Sequence, residues 1–136
     1  MRGTTVYSDL VALLKLLAIA LLALNSAYVS AQTANGSHFL IACEAAIRQL
    51  DGDKLSAEEI IASQQCSEAV VAGVDSLTVA RSMGGAIPGV CLPQDGISND
   101  QGIRIFVKYL RENPQALQDS GRATLITALA QTYPCK

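Results

Sequence analysis

Residues 98–135 read SNDQGIRIFVKYLRENPQALQDSGRATLITALAQTYPC, and this stretch decides the fold. Ser98 to Gln101 has a capping-box pattern, which predicts the start of a helix. That helix has an apolar stripe at helical spacing, formed by Ile103, Phe106, Val107 and Leu110. Asn113-Pro114 begins a second helix at once, because Asn suits the cap and Pro suits the first helical position. Two helices with almost no loop between them should form an antiparallel hairpin over 98–112 and 114–132.

The cysteines predict two disulfides, since an even number of cysteines in a small exported chain is typical of a disulfide framework. The four are Cys43, Cys66, Cys91 and Cys135, and three pairings are formally open. Cys91 lies just before the hairpin and Cys135 just after it, so the hairpin brings this pair together. By elimination Cys43 pairs with Cys66. Zinc is the competing interpretation, but neither cysteines nor histidine have ligand spacing, so we expect no metal site.

The residues upstream of the hairpin also have helical patterns. Apolar residues recur every three or four positions over about 37–50, and Asp51-Gly52-Asp53 ends that helix. A capping box at Ser56 opens a short helix through Ile61. A further helix covers about 65–81, with a stripe of Cys66, Val70, Val74 and Leu77. The sequence therefore predicts an all-α fold, a small four- to five-helix domain stapled by two disulfides.

Residues 1–31 have the three parts of a cleaved secretory signal peptide. Arg2 and Lys15 supply positive charge, residues 16–24 are an unbroken apolar run, and Val29-Ser30-Ala31 suits a signal peptidase. A retained membrane anchor is the alternative, but the run is short for a span of about 20 residues. We therefore expect a single helical domain over 32–136, with no stable membrane anchor. Cleavage of bacterial type would place it in the periplasm, where disulfides persist.

The composition argues against several functions. The signal peptide holds two cations and one acidic residue, so its removal changes the net charge from −2 to −3. No Lys/Arg run survives, so nucleic acid is not an expected partner. The single histidine, His38, lies near the cleavage point without a suggested partner, and no redox, phosphate-binding or nucleophile-elbow motif occurs. We expect no catalytic residue, no cofactor and no enzyme activity.

Two charged features have open interpretations. Asp75 could pair with an arginine such as Arg48 or Arg104, or be solvated. Arg104, Lys108 and Arg111 form a cationic edge at steps of three and four. A solvated face explains this edge best, and contact with an acidic partner is the minority alternative.

The best candidate for function is the stretch from Met83 to Gly96, which glycine and proline prevent from continuing a helix. We call it the 83–96 loop. Its candidate partner-binding residues are Met83, Ile87, Pro88, Val90 and Leu92. Either these residues cap the core, or they contact a protein, as exposed apolar loops on rigid scaffolds commonly do.

The region over 36–136 resembles the Rap1a/Tai family of immunity proteins. The resemblance rests on short motifs spread along the chain: Ala42-Cys43, Cys66 with the helix segment 70–75, Cys91-Leu92-Pro93, Gly96-Ile97-Ser98, Gln101, Tyr109-Leu110, Asn113-Pro114, Ala128-Leu129 and Tyr133-Pro134-Cys135. The Cys-hydrophobic-Pro element and the terminal Pro-Cys together are the most specific of these.

The resemblance implies an exported bacterial protein that binds and inhibits a peptidoglycan amidase effector of a type VI secretion system. Its partner would be a protein, the 83–96 loop would contact or plug the target, and a homodimer is an option by the same analogy. A rigid helical domain without catalytic groups suits such a role. The alternative function is a small periplasmic chaperone of the acid-stress type, whose helical fold this family resembles in outline.

Overall fold

The computed structural model describes residues 34–85 and 87–135. Its elements are α1 (Gly36–Leu50), α2 (Ala57–Ser82), α3 (Asn99–Glu112), the 3-10 helix η1 (Pro114–Gln118) and α4 (Gly121–Thr132). Within these ranges there is no strand, only an isolated bridge between Asn35 and Ser120. The predicted all-α, four- to five-helix fold is confirmed. The predicted signal peptide lies outside the described residues.

Side-chain caps start the helices where the sequence predicts. At the start of α2, Ser56 Oγ accepts a hydrogen bond from the Glu59 N–H, and the Glu59 carboxylate accepts one from the Ser56 N–H at 2.8 Å. At the start of α3, Ser98 Oγ accepts a hydrogen bond from the Gln101 N–H at 3.1 Å. These bonds satisfy amide donors that the first helical turn leaves free. None of the helices between 34 and 135 is both long and apolar enough for a membrane crossing.

The prediction of a separate short helix after Ser56 is wrong. Helix α2 runs without interruption for 26 residues, and it joins the two helical segments that the sequence separated. The junction contains Ser63, a weak helix former, but its buried hydroxyl donates to the Ile60 carbonyl at 2.8 Å. Because the hydroxyl is satisfied within the helix and no glycine or proline intervenes, nothing ends the helix there.

The prediction of one continuous helix over 114–132 is also wrong. Residues Pro114–Gln118 form a 3-10 helix, and α4 begins only at Gly121. Between them, the Asp119 carbonyl accepts from the Gly36 N–H at 3.0 Å, and the Gly121 N–H donates to the Ala34 carbonyl at 3.2 Å. These bonds to the start of α1 compete with helix continuation, so the chain bends at 119–120.

The core forms where α1 packs across the other helices. The rings of Phe39 and Phe106 lie 5.8 Å apart between centroids. The predicted stripe of α3 is fully buried, and Cys66, Val70 and Leu77 of the α2 stripe are buried with it. Leu50, at the end of α1, is 51% exposed instead.

The two disulfides are the predicted ones. Cys43–Cys66 joins α1 to α2, and Cys91–Cys135 joins the 83–96 loop to the end of the chain. The Cys91 N–H also donates to the Tyr133 carbonyl at 2.8 Å, so the two ends of the α3–α4 hairpin do meet. The antiparallel arrangement of the hairpin is therefore what determines this pairing.

Substitution Gly36→Ala tests the close approach of α1 to η1. A Cβ atom at Gly36 would collide with the backbone oxygen of Ala116, which cannot move without displacing η1. We expect the free energy of unfolding to fall by about 1–3 kcal/mol, measured by urea denaturation.

Gly73→Ala is the matched control. Its Cβ would come within 2.7 Å of one terminal methyl of Leu125, which can rotate away. Alanine also favours helix over glycine by about 1 kcal/mol. An equal loss of stability in both variants would contradict the assigned contact.

Candidate functional site

The candidate site lies where α2 extends beyond α1. The short connection 51–56 and the Cys43–Cys66 disulfide hold α1 and α2 antiparallel and side by side. Helix α2 has 26 residues and α1 has 15, so roughly the last ten residues of α2, about 15 Å, extend past the start of α1. The 83–96 loop folds back along this extension. The loop therefore packs against the part of α2 that α1 does not reach.

The structure divides the five predicted loop residues by exposure. Met83 is 81% exposed and Pro88 is exposed. Ile87 and Val90 are half-buried against the core, and Leu92 is part of the core. The core-capping interpretation therefore holds for Leu92. Met83 and Pro88 are exposed, and their contact with a partner stays a prediction.

Residues 87–90 form a tight turn with Pro88 at its tip. The Val90 N–H donates to the Ile87 carbonyl at 3.2 Å, and Gly89 has φ +88°. Proline followed by a glycine with positive φ is the pattern of a type II turn, which other residues would strain. The exposed tip therefore has a defined conformation.

Three further connections fasten the loop to the domain. Cys91 is tied to Cys135 by the disulfide and to Tyr133 by the backbone hydrogen bond. Arg81, in the last turn of α2, donates from Nη1 to the Leu92 carbonyl at 2.9 Å. The loop is thus held at 91–92 from both α2 and the chain end.

An open groove runs between the end of α2 and the loop. Its volume is about 520 Å³, and apolar residues including Leu77, Ile87 and Val90 line it. Arg81 is at its edge and makes no ion pair with any residue in the described ranges. An apolar surface with one available cation is suited to contact with a protein.

Sequence reasoning missed a second apolar row on α2. Val79 is 54% exposed and Ile61 is 57% exposed, and Val79 lies four residues before Met83 on the same side of the helix. Because α2 is apolar on both sides, the periodic signal in the sequence shows only the buried stripe. The sequence did contain a signal for this second row, because α2 has apolar residues on the side opposite its buried stripe. A helix that packs on one side only leaves such residues exposed.

The predicted cationic edge of α3 is an ion-paired surface. Arg104 donates to Asp51 and to Asp100, both at 2.7 Å, and Arg111 pairs with Glu44 at 2.8 Å. These neighbouring carboxylates raise the pKa of Arg104. Their charges cancel those of the cations, so this face offers little to an acidic partner.

Other titratable groups among the described residues are solvated or pair with neighbouring side chains. Asp75 is exposed, while Arg48 pairs with Glu59 and Arg104 with other acids, so Asp75 is solvated. The Ser56 N–H and Arg48 both donate to Glu59 and lower its pKa, which suits a helix-start role. Across 34–85 and 87–135, no group of three or more His, Cys, Asp or Glu residues could hold a metal ion.

Residues 34–85 and 87–135 thus belong to the class of small all-α domains held by two disulfides. The family model of the Rap1a immunity proteins matches residues 35–135, which include every helix above and both disulfides. The chain belongs to the Rap1a immunity protein family. No curated protein and no solved structure is significantly similar to it.

Substitution Arg81→Met tests the fastening of the loop. It removes the donor to Leu92 but keeps an apolar stem, so we expect faster amide hydrogen exchange over 90–96. Because the bond is part-buried and its donor is charged, the free energy of unfolding should fall by about 1–3 kcal/mol.

Arg122→Met is the control, because Arg122 is an exposed arginine on α4 away from the loop. It should leave exchange in the loop unchanged. Unchanged exchange in the Arg81 variant as well would show that the hydrogen bond does not hold the loop.

Proposed function

We propose that this chain is an exported immunity protein that binds and inhibits a peptidoglycan amidase effector of a type VI secretion system. Membership of the Rap1a family supports an immunity role and a protein partner. The proposal that the target is an amidase rests on the resemblance of the sequence motifs to those of the Rap1a/Tai family.

The observation that carries this proposal is the exposure of three apolar residues near the end of α2 and in the loop, Val79, Met83 and Pro88. We propose that they belong to one contact surface, which we call the α2–loop surface. Its residues are exposed, apolar and at one end of the domain. A rigid apolar surface can bind with little loss of conformational entropy, and a few such residues supply most of the affinity at protein interfaces. We propose that this surface covers the active site of the target.

We further propose that residues 1–31 are removed on export and that the protein acts in the periplasm. Peptidoglycan lies in that compartment, so an inhibitor of its hydrolysis has to be there. Disulfides such as Cys43–Cys66 and Cys91–Cys135 also persist there. A homodimer is compatible with the proposal if pairing leaves the α2–loop surface open. The chaperone alternative has no observation in its favour.

The proposed function is tested by affinity capture with the oxidised protein from a periplasmic extract that includes proteins secreted by sibling cells. Captured proteins are identified by mass and assayed for cleavage of peptidoglycan. A stoichiometric partner whose amidase activity falls on binding establishes the proposal. A stoichiometric partner without such activity contradicts the amidase assignment, and no partner contradicts the immunity role in these cells.

Substitution Met83→Asp should weaken binding to the captured amidase at least about tenfold, because it places a charge in an apolar contact. Inhibition of the amidase should weaken in parallel. The melting temperature should not change, since Met83 is exposed. Isothermal titration calorimetry and a peptidoglycan-release assay measure the two effects.

Ile41→Asp is the matched control, because Ile41 is 70% exposed and lies on α1 outside the α2–loop surface. It introduces the same charge and should leave affinity unchanged. The reverse pattern, in which only the Ile41 variant loses affinity, would place the interface on α1.

A further inference from the structure

The two disulfides differ sharply in their surroundings. Cys43 and Cys66 are each 0% exposed and lie within the hydrophobic core. Cys91 and Cys135 are both exposed. Thiol–disulfide exchange requires a thiolate to reach a sulfur, so access separates the two bonds.

The exposed disulfide fastens the 83–96 loop to the end of α4 and does not lie within the core. Cys91 is next to Leu92 in the loop, and Cys135 follows the end of α4. Without the covalent bond, the loop would depend on the Tyr133 and Arg81 hydrogen bonds and on apolar packing against the core. The residues that pack there are Ile87, Val90 and Leu92.

The rest of the domain is held together by contacts that do not involve the Cys91–Cys135 disulfide. The Phe39–Phe106 contact, the buried stripe of α3 and the Cys43–Cys66 disulfide all lie among α1, α2, α3 and α4. Opening the exposed bond leaves these contacts in place. Local opening at low free energy, while the core stays closed, is common at segments with few buried contacts.

We propose that the Cys91–Cys135 disulfide is a redox-sensitive lock that fixes the 83–96 loop and that a dithiol can open selectively. A thiolate of the dithiol attacks one sulfur of the pair, the S–S bond breaks, and a mixed disulfide forms. The second thiol of the reagent then closes on the mixed bond. Two electrons and two protons pass to the protein, which leaves two cysteine thiols and one oxidised dithiol.

The effect of the lock on target binding rests on the proposed function. If the α2–loop surface contacts the target, then binding is strong only when the lock is closed, as it is in an oxidising compartment. The selectivity of reduction does not rest on that function, so the two can be tested separately.

Selective reduction is tested with dithiothreitol and differential alkylation of the native, oxidised protein, read residue by residue by mass spectrometry. We expect Cys91 and Cys135 to become alkylated at least about tenfold faster than Cys43 and Cys66. Denatured protein is the control, in which the access difference should disappear. Equal rates in the native protein, or faster reduction of Cys43–Cys66, would overturn the proposal.

The lock itself is tested with the double variant Cys91→Ser and Cys135→Ser. The amide of residue 91, which donates to Tyr133, should exchange at least about tenfold faster, while the amides of α1 keep their protection. The matched variant Cys43→Ser and Cys66→Ser removes the buried bond and should accelerate exchange in α1. Unchanged exchange at residue 91, or equal acceleration throughout the domain, in the Cys91/Cys135 variant would overturn the lock.

Inhibition of the captured amidase by the selectively reduced protein separates the two proposals. A loss of inhibition supports both. Full inhibition with a mobile loop leaves the lock standing and contradicts the contact role of the loop.

Discussion

The difference in length between α1 and α2 is the constraint on which the rest of the structure depends. The buried Cys43–Cys66 bond fixes the two helices side by side, and α1 packs against every other helix of the described domain. Because α2 is the longer helix, its last turns have no partner in α1. The 83–96 loop and the α3–α4 hairpin meet that unpartnered end. The exposed apolar surface therefore follows from the architecture.

The loop shows how a short irregular segment can be both well defined and available. Leu92 is buried, and Cys91 is fixed covalently, while the Pro88 tip is exposed only a few residues away. A segment anchored in this way has fewer conformations to lose when it binds. In our proposal, the order of this segment depends on one exposed disulfide, Cys91–Cys135.

Most of the fold could be predicted from the sequence because its signals are local. The caps at Ser56 and Ser98 and the buried stripe of α3 are where their spacing indicates. The hairpin then gave the cysteine pairing. The break at 119–120 could not be predicted, since it depends on hydrogen bonds from the distant residues Ala34 and Gly36.

The candidate site was predictable only in part. Glycine and proline marked the loop, and Met83 and Pro88 are exposed as a contact role requires. That Leu92 belongs to the core depends on how the loop folds against the domain, and Val79 is exposed because it lies on the side of α2 away from the buried stripe. Helix length was the missing quantity, because the capping box at Ser56 suggested a short helix instead of the first turn of a long one.

The α2–loop surface is the proposed inhibitory surface. Hydrogen exchange of the oxidised protein, alone and bound to its proposed amidase target, tests this residue by residue. New protection is expected over 79–96, with little change on the ion-paired face of α3. Protection confined to that α3 face, with exchange over 79–96 unchanged, would contradict it.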